Sequence, residues 1–133
     1  MKKFLILILV IFINSTPAKA DDLKTVLKQI EKGFTNNKVD LFSNYFSDNC
    51  YLSLNNGLSG YYTSNQAYYI FEKYFIKYKI TEFITTDYGH GDFNIMIEAT
   101  IKYNLEGTVY KGQVLITLKN INNKLLITQI FIS

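Results

Sequence analysis

The feature that most constrains the fold is the amphipathic segment 63–78, TSNQAYYIFEKYFIKY. Apolar and aromatic residues recur in it at intervals of three and four, which is the pattern of the buried face of an α-helix. These residues are Ala67, Ile70, Phe71, Tyr74, Phe75 and Tyr78. Thr63 and Gln66 form a capping box, in which each side chain accepts a hydrogen bond from a backbone N–H at the helix start. The segment therefore predicts a helix with one wide apolar face that the rest of the chain must cover.

The chain after this helix has the pattern of an antiparallel sheet. The predicted strands are 80–87, 93–104, 108–120 and 124–133. We expect Tyr103 to pair with Thr108, which sets Ala99 opposite Gly112 and brings the apolar faces of the two strands together. Residues 125–133 carry no charge, which is typical of a strand buried between two neighbours.

The chain before the central helix predicts two shorter helices. Asp22 is placed to cap a first helix that ends at Gly33, because glycine commonly terminates helices. Residues 39–46 are interpreted as a second short helix, which the polar residues 47–49 break. The remaining predicted elements are two short strands, 50–54 and 58–62, joined by a turn at 55–57.

Residues 1–20 have the three-part pattern of a secretory signal peptide. Lys2 and Lys3 precede an unbroken apolar run of ten residues, and a polar, small-residue segment follows and ends in Ala-Lys-Ala at position 20. A run of this length is shorter than the ~20 residues that a transmembrane helix needs. We therefore expect cleavage after Ala20 and export to the periplasm or the exterior. The mature chain would be a single domain, 21–133, with no membrane span.

Removal of this leader changes the charge of the protein. Three of the 14 basic residues and none of the 11 acidic residues lie in the leader, so the mature chain carries equal numbers of both. The chain also contains no arginine, the residue best suited to bidentate phosphate contacts. Since a nucleic-acid-binding protein presents a basic patch or stripe, we expect no nucleic-acid partner.

Cysteine and histidine usage argues against a metal site. Cys50 is the only cysteine and His90 the only histidine, so no intramolecular disulfide can form and the usual zinc ligand sets are lacking. Cys50 begins a predicted apolar strand, where a buried and unreactive thiol is the common outcome. No metal or other cofactor is predicted.

The order of these elements resembles the nuclear transport factor 2-like (cystatin-like) fold. In that fold a strongly curved sheet wraps around the helices as a cone. More narrowly, the chain resembles an exported Bacteroidetes family, domain-of-unknown-function family 4783. The resemblance rests on the leader, Gly33, residues 62–67, Tyr74 with Phe75, His90 with Gly91, and the closing hairpin. It implies an α+β cone, with three helices packed in a curved, mostly antiparallel sheet, and it implies no activity.

An enzyme is the alternative function, because members of the wider fold include isomerases, dehydratases and polyketide cyclases that use an acid or a histidine inside the cone. Glu98 alternates with Ile97 and Ala99, so we expect it on the polar face of its strand rather than inside. His90 lies in a predicted turn, 89–92, without a second histidine. No catalytic residue is predicted.

Four residues are candidates for ligand binding. Tyr110 shares the parity of Val114 and is expected to point inward. Tyr45 and Tyr78 are expected near the open end of the cone, and His90 is the fourth candidate. The alternative explanation is that these tyrosines line the core with their hydroxyl groups at its rim.

One surface of the predicted sheet favours association. Leu115 lies on the face away from the helices. Whichever register the last hairpin adopts, we expect several apolar residues of the last strand to join it there, with Ile130 and Ile132 preferred and Leu126, Ile127 and Phe131 as the alternatives. An apolar patch on the outer face of a sheet often marks an interface, and members of the wider fold commonly dimerise through that surface.

The function expected from the sequence is therefore non-catalytic. The protein would bind a small apolar ligand or a protein partner in the cell envelope, with a homodimer formed through the outer face. The alternatives are an isomerase- or cyclase-type enzyme with an acid or histidine in the cone, and a purely structural interaction module whose interior is filled by aromatic side chains.

The predicted leader can be tested by N-terminal sequencing and intact-mass measurement of the protein after expression of the full chain. We expect the mature N-terminus at Asp21. Ala20→Phe should block cleavage because small residues are needed at the cleavage site, whereas Lys19→Gln, at the neighbouring position, should leave it unchanged. An unprocessed wild-type chain would contradict the prediction.

Overall fold

The computed structural model describes residues 21–133, so the predicted leader and its cleavage site lie outside the described residues. The described chain forms two α-helices, two short 3₁₀ turns and six strands. The helices are α1, Leu23–Thr35, and α2, Ser64–Lys77; the 3₁₀ turns are Val39–Leu41 and Ser43–Tyr45. The strands are β1, Phe46–Ser53; β2, Ser59–Tyr62; β3, Lys79–His90; β4, Asn94–Leu105; β5, Thr108–Ile121; and β6, Lys124–Ile132. None of these helices is long and apolar enough to cross a membrane.

The six strands form one curved sheet in the order β2-β1-β6-β5-β4-β3. Every neighbouring pair is antiparallel except β1 and β6, which run parallel. Strand β6, which carries no charge after Lys124, lies in the middle of the sheet, between β1 and β5, which confirms the position predicted for it. Its central place follows from its composition, because a strand without charges is buried at least cost between two neighbours.

Helix α2 has the start and the buried face that its sequence predicts. The Thr63 hydroxyl accepts from the Gln66 N–H at 3.2 Å, and the Gln66 side chain accepts from the Thr63 N–H at 3.0 Å. The buried residues on the helix are Ala67, Phe71, Tyr74 and Phe75. The predicted capping box and the predicted apolar face are both confirmed.

Phenylalanine rings occupy the space between the helices and the sheet. The rings of Phe34 and Phe42 stack at a centroid distance of 5.2 Å, and Phe75 meets Phe34 edge-on at 5.4 Å. Phe71 of α2 is fully buried and contacts all three of these rings. Such aromatic pairs contribute roughly 0.5–1.5 kcal/mol each beyond the burial of their area. The centre of the cone is therefore occupied by aromatic side chains.

The prediction of three helices was wrong at residues 39–46. Phe42 has φ −130° and separates two 3₁₀ turns, because its ring packs inward against Phe34. Phe46 already belongs to β1, and its ring stacks on Phe71 at 5.9 Å. Residues 47–49, predicted to break a helix, therefore continue a strand.

Gly33 does not end the first helix, which continues to Thr35. A Cβ at position 33 would overlap the ring of Phe42, so glycine is needed there for close packing. Asn37 turns the chain after the helix, with φ 56°. Its side chain accepts from the Ile80 N–H at 2.7 Å and donates to the Ile80 carbonyl at 2.9 Å, which ties the end of α1 to β3.

The β4–β5 hairpin has the predicted faces, but its predicted register was wrong by two residues. The turn has only two residues, both with positive φ (52° and 88°), a geometry that matches the twist of a tight hairpin. Leu105 rather than Tyr103 therefore pairs with Thr108, and Gly112 lies opposite Ile101 rather than the predicted alanine. Because a shift of two preserves parity, every side chain keeps its face.

Gly33→Ala tests the close packing of α1. In a helix this substitution ordinarily stabilises by about 1 kcal/mol. Here we expect the free energy of unfolding to fall by about 1–3 kcal/mol, because the added methyl group overpacks the core. Gly89→Ala is the matched control, since a Cβ at that position meets no atom within 4 Å.

Urea denaturation of the two variants measures this difference. The control variant should unfold within about 0.5 kcal/mol of the wild type. A stabilised Gly33→Ala protein would contradict the packing described for Phe42.

Candidate functional site

The structure separates the tyrosines predicted to contact a ligand. Tyr78 and Tyr110 belong to one row of rings, whereas Tyr45 lies elsewhere and donates a hydrogen bond to the Asp21 carboxylate at 2.6 Å. Desolvation and this carboxylate raise the pKa of Tyr45 to about 12. Tyr45 therefore links the first residue of the predicted mature chain to the domain.

His90 is also separate from the tyrosine row. The predicted turn at 89–92 was wrong in its first half, because Gly89 pairs with Met96 and His90 with Ile95 at the end of β3. The His90 side chain is exposed, so it lies outside the cone.

The tyrosine row consists of four rings that extend from the core to the surface. The rings of Tyr74 and Tyr78 are parallel, with centroids 4.6 Å apart. Tyr103 lies 5.6 Å from Tyr78, and Tyr110 stacks on Tyr103 at 5.6 Å. Tyr74 is 2 % exposed and Tyr110 45 % exposed. Tyr110 thus lies on the inner face of β5, the same face as Val114, as predicted, but at the open rim of the cone.

The inner end of the tyrosine row carries the polar groups. The Tyr74 hydroxyl donates to Oδ1 of Asn55 at 2.8 Å. Burial raises the pKa of Tyr74 above its ordinary value, so the phenol stays protonated at neutral pH and serves as a hydrogen-bond donor rather than a base. Nδ2 of Asn55 is buried and has no acceptor among the described residues. The Tyr74 hydroxyl and Oδ1 of Asn55 are therefore paired with each other, and it is Tyr110, at the other end of the row, whose ring is accessible.

Acidic side chains are not buried in the described part of the chain. The buried polar residues among 21–133 are Ser47 and Thr117. Glu98 is exposed on β4, on the polar face predicted for it. In the same range, no three His, Cys, Asp or Glu side chains lie close enough together to hold a metal ion.

Cys50 is a free, fully buried thiol in β1, as the sequence predicted. Desolvation raises its pKa to about 12. Because the thiolate is the reactive form, this cysteine is inert at neutral pH.

The outer face of the sheet differs from the predicted one. Leu115 is half-buried on that face, as expected. Ile130 and Ile132 instead point into the core and are 0 % and 3 % exposed. Ile130 pairs with the buried Ile116, and Phe131 takes the outer position opposite Leu115. The preferred placement of Ile130 and Ile132 beside Leu115 was therefore wrong, whereas Leu126 and Phe131, two of the alternatives, do lie on the outer face.

Three aromatic rings from different strands meet on this outer face. Tyr51 of β1 lies 4.9 Å from Tyr61 of β2 and 5.6 Å from Phe131 of β6. With Met96 and Leu126 they line an open groove of about 1050 Å³, which we call the outer groove. Tyr61 is 68 % exposed and Met96 41 % exposed.

The sequence contained a signal for part of this cluster. Cys50 and Leu52 are apolar and point inward, so strict alternation places Tyr51 on the opposite face. Its contact with Phe131 depends on the parallel pairing of β1 with β6, two strands that are far apart in the sequence.

The chain is similar in sequence to one protein family and in fold to several solved structures. The family model described as "Domain of unknown function (DUF4783)" matches residues 27–133. A DUF4783 family protein from Bacteroides ovatus is 23% identical, with a TM-score of 0.69 over 78% of this chain and 90% of that chain. One from Bacteroides uniformis is 18% identical, with a TM-score of 0.73 over 81% and 95%. An NTF-2 like protein of unknown function from Shewanella oneidensis is 15% identical, with a TM-score of 0.57 over 85% and 97%.

These similarities confirm the predicted fold class, with two α-helices in place of three. No curated protein matches the chain significantly. The structural neighbours are less than 25% identical, so they establish the fold alone. Because the family model covers most of the sequence, the chain belongs to the DUF4783 family, and its fold is nuclear transport factor 2-like.

Proposed function

We propose that this protein is an exported, non-catalytic binding protein of the cell envelope. In this proposal its partner is a protein, a second copy of the same chain, that docks on the outer groove. The observation that carries the proposal is the aromatic cluster of Tyr51, Tyr61 and Phe131 on the outer face of the sheet. Export rests on the leader pattern of residues 1–20.

The composition of the outer groove supports a protein interface. Tyrosine, phenylalanine and methionine are enriched at interfaces, where an apolar centre is surrounded by a polar rim. Tyr61 and Met96 supply exposed apolar area, and Asp48, Lys119 and Lys124 supply charges of both signs among the lining residues. A face that carries both signs can pair with a second copy of itself across a two-fold axis.

The other functions considered from the sequence have less support. A ligand inside the cone would compete with Phe34, Phe42 and Phe71, which are fully buried there. The enzyme alternative requires an acid or a histidine in the cone, and no observation on residues 21–133 favours it. An interior filled by aromatic rings instead favours an interaction protein.

Light scattering at micromolar concentration tests the proposed dimer. We expect a dimeric mass for the wild type and a monomeric mass for the Tyr61→Lys/Met96→Lys variant. The two-fold axis would place the introduced charges against an apolar surface, where unpaired charges are costly. The dissociation constant should rise by roughly a hundred-fold, since truncation of interface anchors typically costs more than about 2 kcal/mol.

Ile76→Lys is the control, because Ile76 is 71 % exposed on α2 and does not line the outer groove. That variant should keep the wild-type mass. A monomeric wild type, or a dimer that survives the double substitution, would contradict the proposal.

A further inference from the structure

A second groove, of about 350 Å³, lies between α2 and the β1–β2 connection. We call it the α2 groove. Its apolar and aromatic lining residues are Leu58, Ile70, Tyr74 and Tyr78. Lys73 and Lys77, one helical turn apart, also line it, and none of the lining residues is acidic. The volume is at the lower end of the range for small-molecule sites.

The charged residues that line the α2 groove are both basic. Lys73 and Lys77 are exposed, and neither forms a salt bridge with any residue of 21–133, where Lys102 and Glu82 make the only ion pair. Glu72, the acid of α2, lines a different depression together with Asp40. An anion in the α2 groove therefore meets two cations and no carboxylate among the lining residues.

The aromatic side of the α2 groove is the inner half of the tyrosine row. Tyr74 and Tyr78 stack on each other with centroids 4.6 Å apart and are 2 % and 7 % exposed, so the faces that they share are covered. Aromatic pairs also favour edge-to-face contact, which is the contact that a ligand ring would make with them. Tyr74 is held in place by the hydrogen bond from its hydroxyl to Oδ1 of Asn55, a residue that does not itself line the groove.

We propose that the α2 groove binds a small aromatic carboxylate, with its ring against Tyr74 and Tyr78 and its carboxylate between Lys73 and Lys77. The small volume limits the ligand to one or two rings, and the lysines select the charged form. This site is separate from the outer groove and goes beyond the proposed function, because its ligand is a small molecule rather than a protein.

Calorimetric titration with 2-naphthoate tests the proposal, using protein purified from cells that express the full chain. We expect saturable binding, and roughly ten-fold weaker binding of 2-naphthalenemethanol, which keeps the rings but lacks the charge. Amide chemical-shift changes on addition of 2-naphthoate should map to Leu58, Lys77 and Tyr78, which line the α2 groove, rather than to Tyr51 and Phe131.

Lysine substitutions isolate the role of charge. Lys73→Gln should weaken binding of 2-naphthoate by about three-fold, and the Lys73→Gln/Lys77→Gln variant by roughly ten-fold, as expected for partly exposed ion pairs. Lys77 lies in the last turn of α2, where a cation is favourable without any ligand, so Lys73 is the more informative single site. Lys28→Gln, which removes an exposed lysine of α1, should leave the affinity unchanged.

Loss of binding can be distinguished from loss of the fold. The substituted lysines are exposed, so we expect each variant to fold, and its melting temperature checks this. Absence of binding, equal affinity for the neutral alcohol, or an unchanged affinity in the double lysine variant would each overturn the proposal. The mass measured by light scattering is independent of these results, so failure of the α2 groove and failure of the dimer are distinguishable.

Discussion

The stack of Phe42 on Phe34, made close by the absence of a side chain at Gly33, is the contact on which the rest of the structure depends. It joins α1 to the two 3₁₀ turns and brings both rings against Phe71 and Phe75 of α2. The curved sheet closes over this cluster. Because protein cores are packed as densely as organic crystals, a cone filled in this way is a core first, and surfaces for binding are to be sought on its outside.

Two such surfaces lie outside this core, and the outer groove follows from the alternation of side chains along the strands. Inward residues of β1 and β6, such as Leu52 and Ile130, complete the core, and their neighbours Tyr51 and Phe131 are thereby directed to the outer groove. The second surface is the α2 groove, where the buried residues Tyr74 and Tyr78 lie beside Lys73 and Lys77. One surface is apolar with mixed charge and suits a protein, whereas the other combines aromatic rings with positive charge and suits a small anion.

Local signals in the sequence predicted helix α2 and the central place of β6, because periodicity, capping and the absence of charge act within a single segment. The predictions that were wrong depend on packing between residues that are far apart in the sequence. Residues 39–46 fit a helix by pattern, but Phe42 is drawn into the core. In the nearly all-apolar β6 no alternation reveals which residues face outward, so only its pairing with β5 turns Ile130 inward. The tyrosine row likewise depends on register, because Tyr103 meets Tyr110 only through the tight two-residue turn.

The central claim, that the cone is a packed core and that binding occurs on its outside, is tested most directly by native mass spectrometry of the protein purified from the envelope of its own host. The account predicts a dimeric mass, and any small molecule that is retained should be an acid that the Lys73→Gln/Lys77→Gln variant no longer holds. A monomer that retains a neutral apolar compound, unaffected by these substitutions, would place a ligand inside the cone and contradict the account.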